Sequence, residues 1–343
     1  MNAARWIAIT GLVAVLSGGF SARAGTVNYE MVPVGNAGNA NDTTGYGGVA
    51  YEYSIGKYGV TISQYTAFLN AVDPGGTNPY GVFGYYGNLA GISFTSGAAS
   101  GSKYAVMSGS GNKPITDMNW FAAARFANWM QNGQGSGSTE TGAYTLVGGQ
   151  NSGLAPAKNA GATVWIPTEN EWYKAAYYDP TKGGTGGYWA YATKSDTAPG
   201  NTIGGSPNQA NWYTGAGYSV TQSSVYSSSQ NYLTDVGAYT GSASFYGTFD
   251  QSGLVYQWND LDGSSGVARG VRGGFWGSIN AIDLSSITRS ANYANAGPAY
   301  TGFRLAGPAS TPVPEIDPAG MCSVLALVTG ALGLLERRRL KVA

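Results

Sequence analysis

Residues 165–178 predict the end of a strand that runs straight into a helix, and the other elements are interpreted around that helix. Thr168 is a good N-cap residue, and Glu171 follows three positions later, so the pair predicts a capping box that satisfies free backbone N–H groups. Beyond the cap, Trp172 is followed by two alanines at the spacing of one helix face. We therefore expect a short, well-capped helix with a buried tryptophan.

Two more helices are predicted by their caps and apolar spacing. Thr61 and Gln64 form a second capping box, and Asn119 caps a third helix that Gly133 ends. Long stretches rich in glycine, serine and tyrosine separate these elements, and glycine makes up 54 of the 343 residues. Because 25 tyrosines, 10 phenylalanines and 9 tryptophans are available for burial, this composition favours a loop-rich globule over a disordered chain.

Both ends of the chain are predicted to lie outside the globular domain. Residues 1–24 combine an early arginine, an apolar run and an A-x-A site, which is typical of a secretory signal peptide. Residues 25–50 are interpreted as a flexible lead-in, residues 51–306 as the domain and residues 307–318 as a Pro-rich linker. Residues 319–343 hold an apolar run close to bilayer length and an arginine cluster, which predict transient anchoring in the inner membrane.

Charge and the scarcity of reactive side chains exclude several functions. Residues 25–312 carry 12 Lys and Arg against 15 Asp and Glu, a balance of −3, which gives no basis for nucleic-acid binding. Histidine is absent, and the single cysteine is Cys322 in the apolar tail. Chemistry that needs imidazole or thiolate groups in the domain, and disulfide bonds within the chain, are therefore excluded.

Several short motifs together resemble one family. IPTENEW at 166–172 is similar to LPTEAEW, FDQSGLVYQW at 249–258 is similar to YDMSGNVWEW, and RGGFW at 272–276 with GFR at 302–304 is similar to RGGSW … GFR. These patterns are typical of formylglycine-generating enzyme (sulfatase-modifying factor) domains, and at least seven landmarks occur in family order from residue 53 to 305. The resemblance implies an α+β fold: the formylglycine-generating-enzyme variant of the C-type lectin-like fold, with short strands, few helices and much irregular loop.

A second resemblance concerns the tail. VPE at 313–315, the apolar run after it and the closing arginines are similar to a PEP-CTERM sorting signal. That resemblance implies an exosortase-type processing enzyme as a partner. It also implies a destination at the cell surface or in the extracellular matrix.

The family resemblance also indicates which chemistry this chain lacks. In the family's enzymes, two cysteine thiolates shortly after RGGSW hold a copper ion, and related sulfoxide synthases hold iron with histidines. Residues 277–288 contain no cysteine, and the chain contains no histidine. We therefore expect no redox cofactor. Acid–base chemistry on Asp250, Asp260 or Asp262 stays open, beside the simpler interpretation of these aspartates as turn formers.

The family further implies structural calcium. Carried over position by position, Asp250 and Gln257 provide side-chain oxygens, and Gly253 and Val255 provide backbone oxygens. Asn211 matches a ligand of a second calcium site. Gln257 stands where the family has Glu, which removes one negative charge from a site for a hard cation.

Aromatic side chains beside polar groups indicate where a ligand would bind, because sugars stack on aromatic rings with polar groups at their rim. The predicted ligand-binding residues are Trp258, Asp260, Arg272, Trp276 and Tyr293. Arg272 is also one of three arginines in family motifs, with Arg289 and Arg304, for which hydrogen bonds to loop carbonyls favour a structural role.

These observations predict an exported, non-redox family member that binds a glycan or a matrix protein at the cell surface or in an exopolysaccharide matrix. Two alternatives stay open. One is an enzyme of unknown reaction that uses only carboxylates, tyrosine and arginine. The other is a structural matrix component whose loops matter only in bulk.

Overall fold

A computed structural model of the protein describes residues 26–84, 91–297 and 299–309. The predicted signal peptide, most of the Pro-rich linker and the predicted sorting tail lie outside these residues. All described residues except Ala309 belong to one compact unit that ends at Pro308. Among the described residues, no helix combines the length and the apolar character needed to cross a membrane.

Regular structure in the described ranges consists of three α-helices and short strands joined by irregular backbone, so the α+β prediction is confirmed. The helices are α1 (Ile62–Val72), α2 (Trp120–Gln131) and α3 (Glu169–Tyr177). The strands are β1 (Met31–Val34), β2 (Tyr53–Gly56), β3 (Ile92–Phe94), β4 (Tyr104–Val106), β5 (Tyr178–Asp179), β6 (Gly187–Tyr188), β7 (Tyr256–Asn259), β8 (Ala268–Arg272), β9 (Ser290–Tyr293), β10 (Thr301–Gly302) and β11 (Ala306–Pro308).

Local capping chemistry fixes where the helices begin. At the start of α3, the Thr168 hydroxyl accepts a hydrogen bond from the Glu171 N–H at 3.2 Å, and the Glu171 carboxylate accepts one from the Thr168 N–H at 2.7 Å. Thr61 and Gln64 form the same reciprocal box before α1. Asn119 caps α2 by accepting from the Ala122 N–H. All three predicted caps are confirmed.

In the described ranges the strands form two larger sheets and two two-stranded sheets, β3-β4 and β5-β6. β1 and β11 both pair antiparallel with β2, and this brings the two ends of the domain into one three-stranded sheet. The larger sheet has the order β10-β7-β8-β9, in which β7, β8 and β9 are antiparallel and β10 lies parallel to β7. β8 is therefore a central strand, and β9 is an edge strand beside it.

The interpretation of residues 25–50 as a flexible lead-in needs correction. β1 lies within this segment and pairs with β2 over four residues. Farther along, the Gly47 N–H donates to Asn170 at 3.0 Å, and the Asn39 amide donates to the Tyr188 hydroxyl at 2.6 Å. The glycine- and asparagine-rich composition suggested mobility, but amide side chains hold these turns against α3 and β6.

The main core is built around rings from α1 and α2. Phe126 lies 5.8 Å from Tyr65, 5.4 Å from Phe68 and 5.5 Å from Phe303, measured between ring centroids, and all four side chains are buried. A separate cluster around Trp172 covers the inner face of α3. Aromatic burial of this kind compensates for the scarcity of regular structure.

Candidate ligand-binding site

A cluster of ion pairs joins the first turn of α3 to the end of β8, with Glu169 and Arg272 buried and Arg289 exposed. The Arg272 Nε donates to Glu169 at 2.7 Å, and Arg289 donates to both carboxylate oxygens of Glu169 at 2.9 Å. Arg272 also donates from Nη1 to the carbonyls of Ser286 and Thr288, each at 2.9 Å. This network agrees with the structural role predicted for the arginines, and it fixes residues 286–289 beside β8.

Two glycines allow the next loop to fold back onto the strand. Gly273 and Gly274 follow β8 directly and have φ angles of 103° and 72°, in the left-handed region that favours glycine. A Cβ on Gly274 would lie 2.9 Å from the Leu284 side chain and 3.1 Å from the Asp283 carbonyl oxygen. The close approach that glycine permits therefore brings residues 283–288 against the end of β8.

A pocket of about 220 Å³ lies between this loop and the sheet. Its floor is the end of β8, and its walls come from the loop, β9 and the segment that leads into β10. Seven lining residues carry its chemistry: Tyr256, Arg272, Asp283, Thr288, Ser290, Asn292 and Thr301. The walls therefore present one ring, three aliphatic hydroxyls, an amide and a carboxylate. Arg272 shares the single negative charge of Glu169 with Arg289.

The pocket suits binding better than nucleophilic chemistry. Burial raises the pKa of Tyr256, so its hydroxyl stays protonated at neutral pH and can donate or accept a hydrogen bond. Neither thiol nor imidazole is available in the domain. A ring with several small polar groups is the kind of lining that orients an uncharged, hydroxylated ligand.

A second recess of about 390 Å³ lies on the other side of Glu169. Tyr46, Asp262 and Arg289 line it, and the Arg289 guanidinium lies 5.2 Å from the centroid of the Tyr46 ring. Its charged groups offset one another. It therefore offers no clear preference for an anion or a cation.

The structure does not bring the five predicted ligand-binding residues together. Trp258 is fully buried, and its indole N–H donates to the Met118 carbonyl at 2.7 Å. Trp276 is 4% exposed within a separate aromatic cluster, and Tyr293 is 69% exposed on β9. Of the five, only Arg272 lines the 220 Å³ pocket.

The fifth predicted residue, Asp260, is enclosed by the core. Its carboxylate accepts hydrogen bonds from the Trp120 indole and the Tyr144 hydroxyl, both at 2.6 Å, and lies 3.2 Å from the Arg269 Nε. Burial raises the pKa of Asp260 to about 6, against the opposing charge of Arg269. Since protein groups satisfy both oxygens, Asp260 is not placed to bind a ligand.

The residues carried over as calcium ligands do not fit a cation in this geometry. The Gln257 side-chain oxygen accepts from the Trp172 indole at 3.0 Å and from the Arg304 Nε at 2.6 Å. The Gln257 amide donates to the Asp250 carbonyl at 2.7 Å, and the Asp250 carboxylate accepts from the Gly237 N–H at 2.7 Å. The oxygen meant for calcium thus faces two N–H donors, one of them cationic.

The other carried-over residues make backbone contacts around the same loop. The Gly253 N–H donates to the Gly273 carbonyl, and the Leu254 N–H donates to the Asn211 carbonyl. Asn211 uses its side-chain amide to donate to the Tyr232 carbonyl at 2.9 Å, and Val255 is buried. Across the described ranges, no group of three or more His, Cys, Asp or Glu residues is arranged to hold a metal ion.

Sequence reasoning missed most of the pocket. Residues 277–288 were considered for cysteine alone, although Asp283 and Thr288 from this segment line the pocket. Asn292 and Tyr256 lie on strands whose pairing the sequence does not reveal. The position of the segment directly after RGGFW was the one signal that could have drawn attention to it.

The comparisons with known proteins agree with this frame. Residues 8–309 match the sulfatase-modifying factor enzyme 1-like domain, so the chain belongs to this family of formylglycine-generating-enzyme-type domains. No curated protein matches the chain.

Three solved structures are similar to this chain at low sequence identity, and the first of them supports the fold alone. Treponema denticola variable protein 1 is similar with a TM-score of 0.50 and 19% identity, over 83% of this chain and 97% of that one. The crystal structure of CarF gives a TM-score of 0.49 and 19% identity, over 83% of this chain and 100% of CarF. PvdO from Pseudomonas aeruginosa gives a TM-score of 0.39 and 15% identity, over 81% of this chain and 92% of PvdO.

Proposed function

We propose that this protein is an exported, non-redox member of the family that binds a glycan or matrix component in the pocket beside β8. The observation that carries the proposal is the pocket itself. The loop after RGGFW forms one of its walls, and its lining presents a ring, hydroxyls and an amide. The family's redox chemistry needs copper thiolates or iron-bound histidines. The domain has neither residue type, and this supports a binding role over oxidation.

The export part of the proposal rests on sequence patterns at the two ends. The signal-peptide pattern at residues 1–24 supports secretion, and the PEP-CTERM-type tail supports processing by an exosortase-type enzyme. The apolar run before the arginines supports a temporary anchor in the inner membrane. The proposed destination is the cell surface or the extracellular matrix.

The two alternatives are less well supported. A carboxylate enzyme would have to use Asp262 or Asp283, because the Asp260 and Asp250 carboxylates are hydrogen-bonded within the protein. A purely structural matrix component would not need a pocket lined by polar side chains. Ligand binding in the pocket accounts for its polar lining and does not require a reactive carboxylate.

A glycan array probed with the purified fragment 25–312 tests the proposal. We expect selective binding to a subset of glycans, and we expect Asn292→Ala to weaken it roughly tenfold, the effect of losing one central polar contact. Asn280→Ala is the matched control, because Asn280 is exposed in the same loop region and does not line the pocket. An array without binding above background, or an Asn292→Ala protein that binds like the parent, contradicts the proposal.

A further inference from the structure

A continuous series of aromatic rings starts at the pocket and leads away from it. We call this series the aromatic row: Tyr256, Phe275, Trp276, Tyr226, Tyr218 and Tyr213. The Tyr256 ring lines the pocket and stacks on Phe275 with centroids 5.4 Å apart, and Phe275 lies 5.7 Å from Trp276. From Tyr226 the row continues to Tyr218 at 6.2 Å and then to Tyr213 at 4.6 Å.

The exposed ring of the row, Tyr226, packs against buried aromatic rings on one face. Tyr226 is 55% exposed, yet its ring is parallel to that of Trp276 within 2°, at a centroid distance of 6.4 Å. It also stacks on the buried Tyr232 at 5.6 Å. A large exposed ring that is already ordered loses little conformational entropy when a ligand covers it.

Polar groups on the row are available for a ligand. The hydroxyls of Tyr218 and Tyr226 make no hydrogen bond to any described residue. Phe275, Tyr213 and Tyr218 are half-buried, so part of each ring faces solvent. The row therefore combines apolar faces with two phenol hydroxyls that can donate or accept a hydrogen bond.

The loops that carry most of the row contain no charge. Residues 211–234 and 273–282 hold no Asp, Glu, Lys or Arg, although serine, threonine, glutamine and asparagine are frequent there. Binding of nucleic acid or of an acidic polymer depends on clustered cations, which these segments do not provide. The surface is thus suited to a partner that is neutral and rich in hydroxyl groups.

We propose that the aromatic row binds an extended, uncharged polysaccharide that runs along the rings to the pocket. A pyranose ring has an apolar C–H face that can stack on tyrosine and hydroxyls that can bond to phenol, serine and asparagine groups, and stacking of this kind recurs along successive aromatic rings. The inference rests on the proposed function and extends it from a single pocket to a longer chain of sugar units.

Affinity gel electrophoresis of the full-length chain tests this inference. The native gels contain xyloglucan, galactomannan or mixed-linkage β-glucan as neutral probes, and alginate as an acidic probe. We expect at least one neutral polysaccharide to retard the protein and alginate to leave its mobility unchanged. Tyr226→Ala should weaken the retardation roughly tenfold, as expected for a truncated aromatic contact at the centre of an interface.

Two further variants separate stacking from other effects. Tyr226→Phe keeps the ring and should retain most of the affinity, whereas Phe245→Ala removes a ring that is 39% exposed outside the row and the pocket and should behave like the parent. Thermal melts of each variant show whether the fold is intact. Retardation by none of the neutral probes, retardation by alginate alone, or parent-like retardation of Tyr226→Ala overturns the inference.

The same variants distinguish this inference from the proposed function. If Asn292→Ala abolishes glycan-array binding while Tyr226→Ala leaves polysaccharide binding unchanged, the aromatic row is not a binding surface and the pocket still is. If no glycan on the array binds, the proposed function itself fails.

Discussion

At the scale of single residues, Asp250 shows how a half-buried carboxylate is tolerated in this fold. Its backbone has a φ of 62°, and its carboxylate accepts a hydrogen bond from the Gly237 N–H. Burial raises the pKa of Asp250 to about 6, although the Gly237 N–H and the charge of Arg304 act in the opposite direction. The folded protein therefore holds this proton more tightly than the unfolded chain does.

The raised pKa predicts a pH-dependent effect of Asp250→Asn. Where the native state binds more protons, the free energy of unfolding falls as pH rises. The contribution of the Asp250 carboxyl therefore falls between about pH 4 and pH 6 and stays nearly constant above pH 6. Asparagine cannot titrate and also tolerates positive φ. The free energy of unfolding of Asp250→Asn minus that of the parent should increase by up to ~3 kcal/mol from pH 4 to pH 7.

Urea unfolding of both proteins at pH 4, 5, 6 and 7 measures this difference. The same difference at every pH would show that the Asp250 carboxyl titrates alike in the folded and unfolded states. That result would remove burial as the dominant influence on this group.

Gln257→Glu tests whether the loop can be turned into a calcium site. In the parent, the Gln257 amide donates to the Asp250 carbonyl, and its oxygen faces Arg304. We expect the parent to melt at the same temperature with millimolar calcium and with chelator. The variant places a carboxylate oxygen against the carbonyl, and a cation that bridges them would stabilise it by ~2.7 kcal/mol at 100 times the dissociation constant.

Calcium-dependent melting of the parent would contradict this geometry and would restore the carried-over ligand set. A variant that also ignores calcium would show that Arg304 excludes a cation from the loop whatever the residue at position 257.

At the scale of elements, α3 links the core to the pocket. Its capping box fixes the first turn, its inner face buries Trp172, and Glu169 in that turn holds Arg272 and Arg289. A helix of nine residues is too short to be stable alone, so its order depends on these tertiary contacts. Loss of the Trp172 contacts should therefore disturb the whole domain.

We expect Trp172→Ala to lower the free energy of unfolding by ~3–5 kcal/mol, because it leaves a large cavity and frees the Gln257 oxygen from one of its two donors. Trp189→Ala is the matched control, since Trp189 is only half-buried and should cost clearly less. Thermal and urea melts compare the two. Equal stability of Trp172→Ala and the parent would show that the inner face of α3 does not support the domain.

The helices could be predicted from the sequence because their determinants are local. Thr168 and Glu171 lie within one turn of each other, and so do Thr61 and Gln64. The pocket could not be predicted in the same way, because β8 and β9 bring Arg272 and Asn292 together through pairing at a distance. Residue type alone could not show that Trp258 points into the core, or that β1 belongs to the sheet.

At the scale of the whole molecule, the chain has the fold of its family, while the segment after RGGFW carries no cysteine. The family model matches residues 8–309, and Arg272 and Arg304 make the hydrogen bonds that hold the loops. In place of thiolates, residues 277–288 contribute an aspartate and a threonine to a pocket, and the neighbouring loops carry an aromatic row without charges. These features are the basis of the proposal that this family domain binds a ligand and does not oxidise a cysteine.

The most direct test incubates the purified domain with Cu(I) and a cysteine-containing peptide, and follows the peptide by mass spectrometry while copper binding is titrated. With no cysteine or histidine in residues 25–312, we predict no one-to-one copper complex and a peptide of unchanged mass. Stoichiometric copper binding together with conversion of the peptide cysteine to formylglycine would contradict the account.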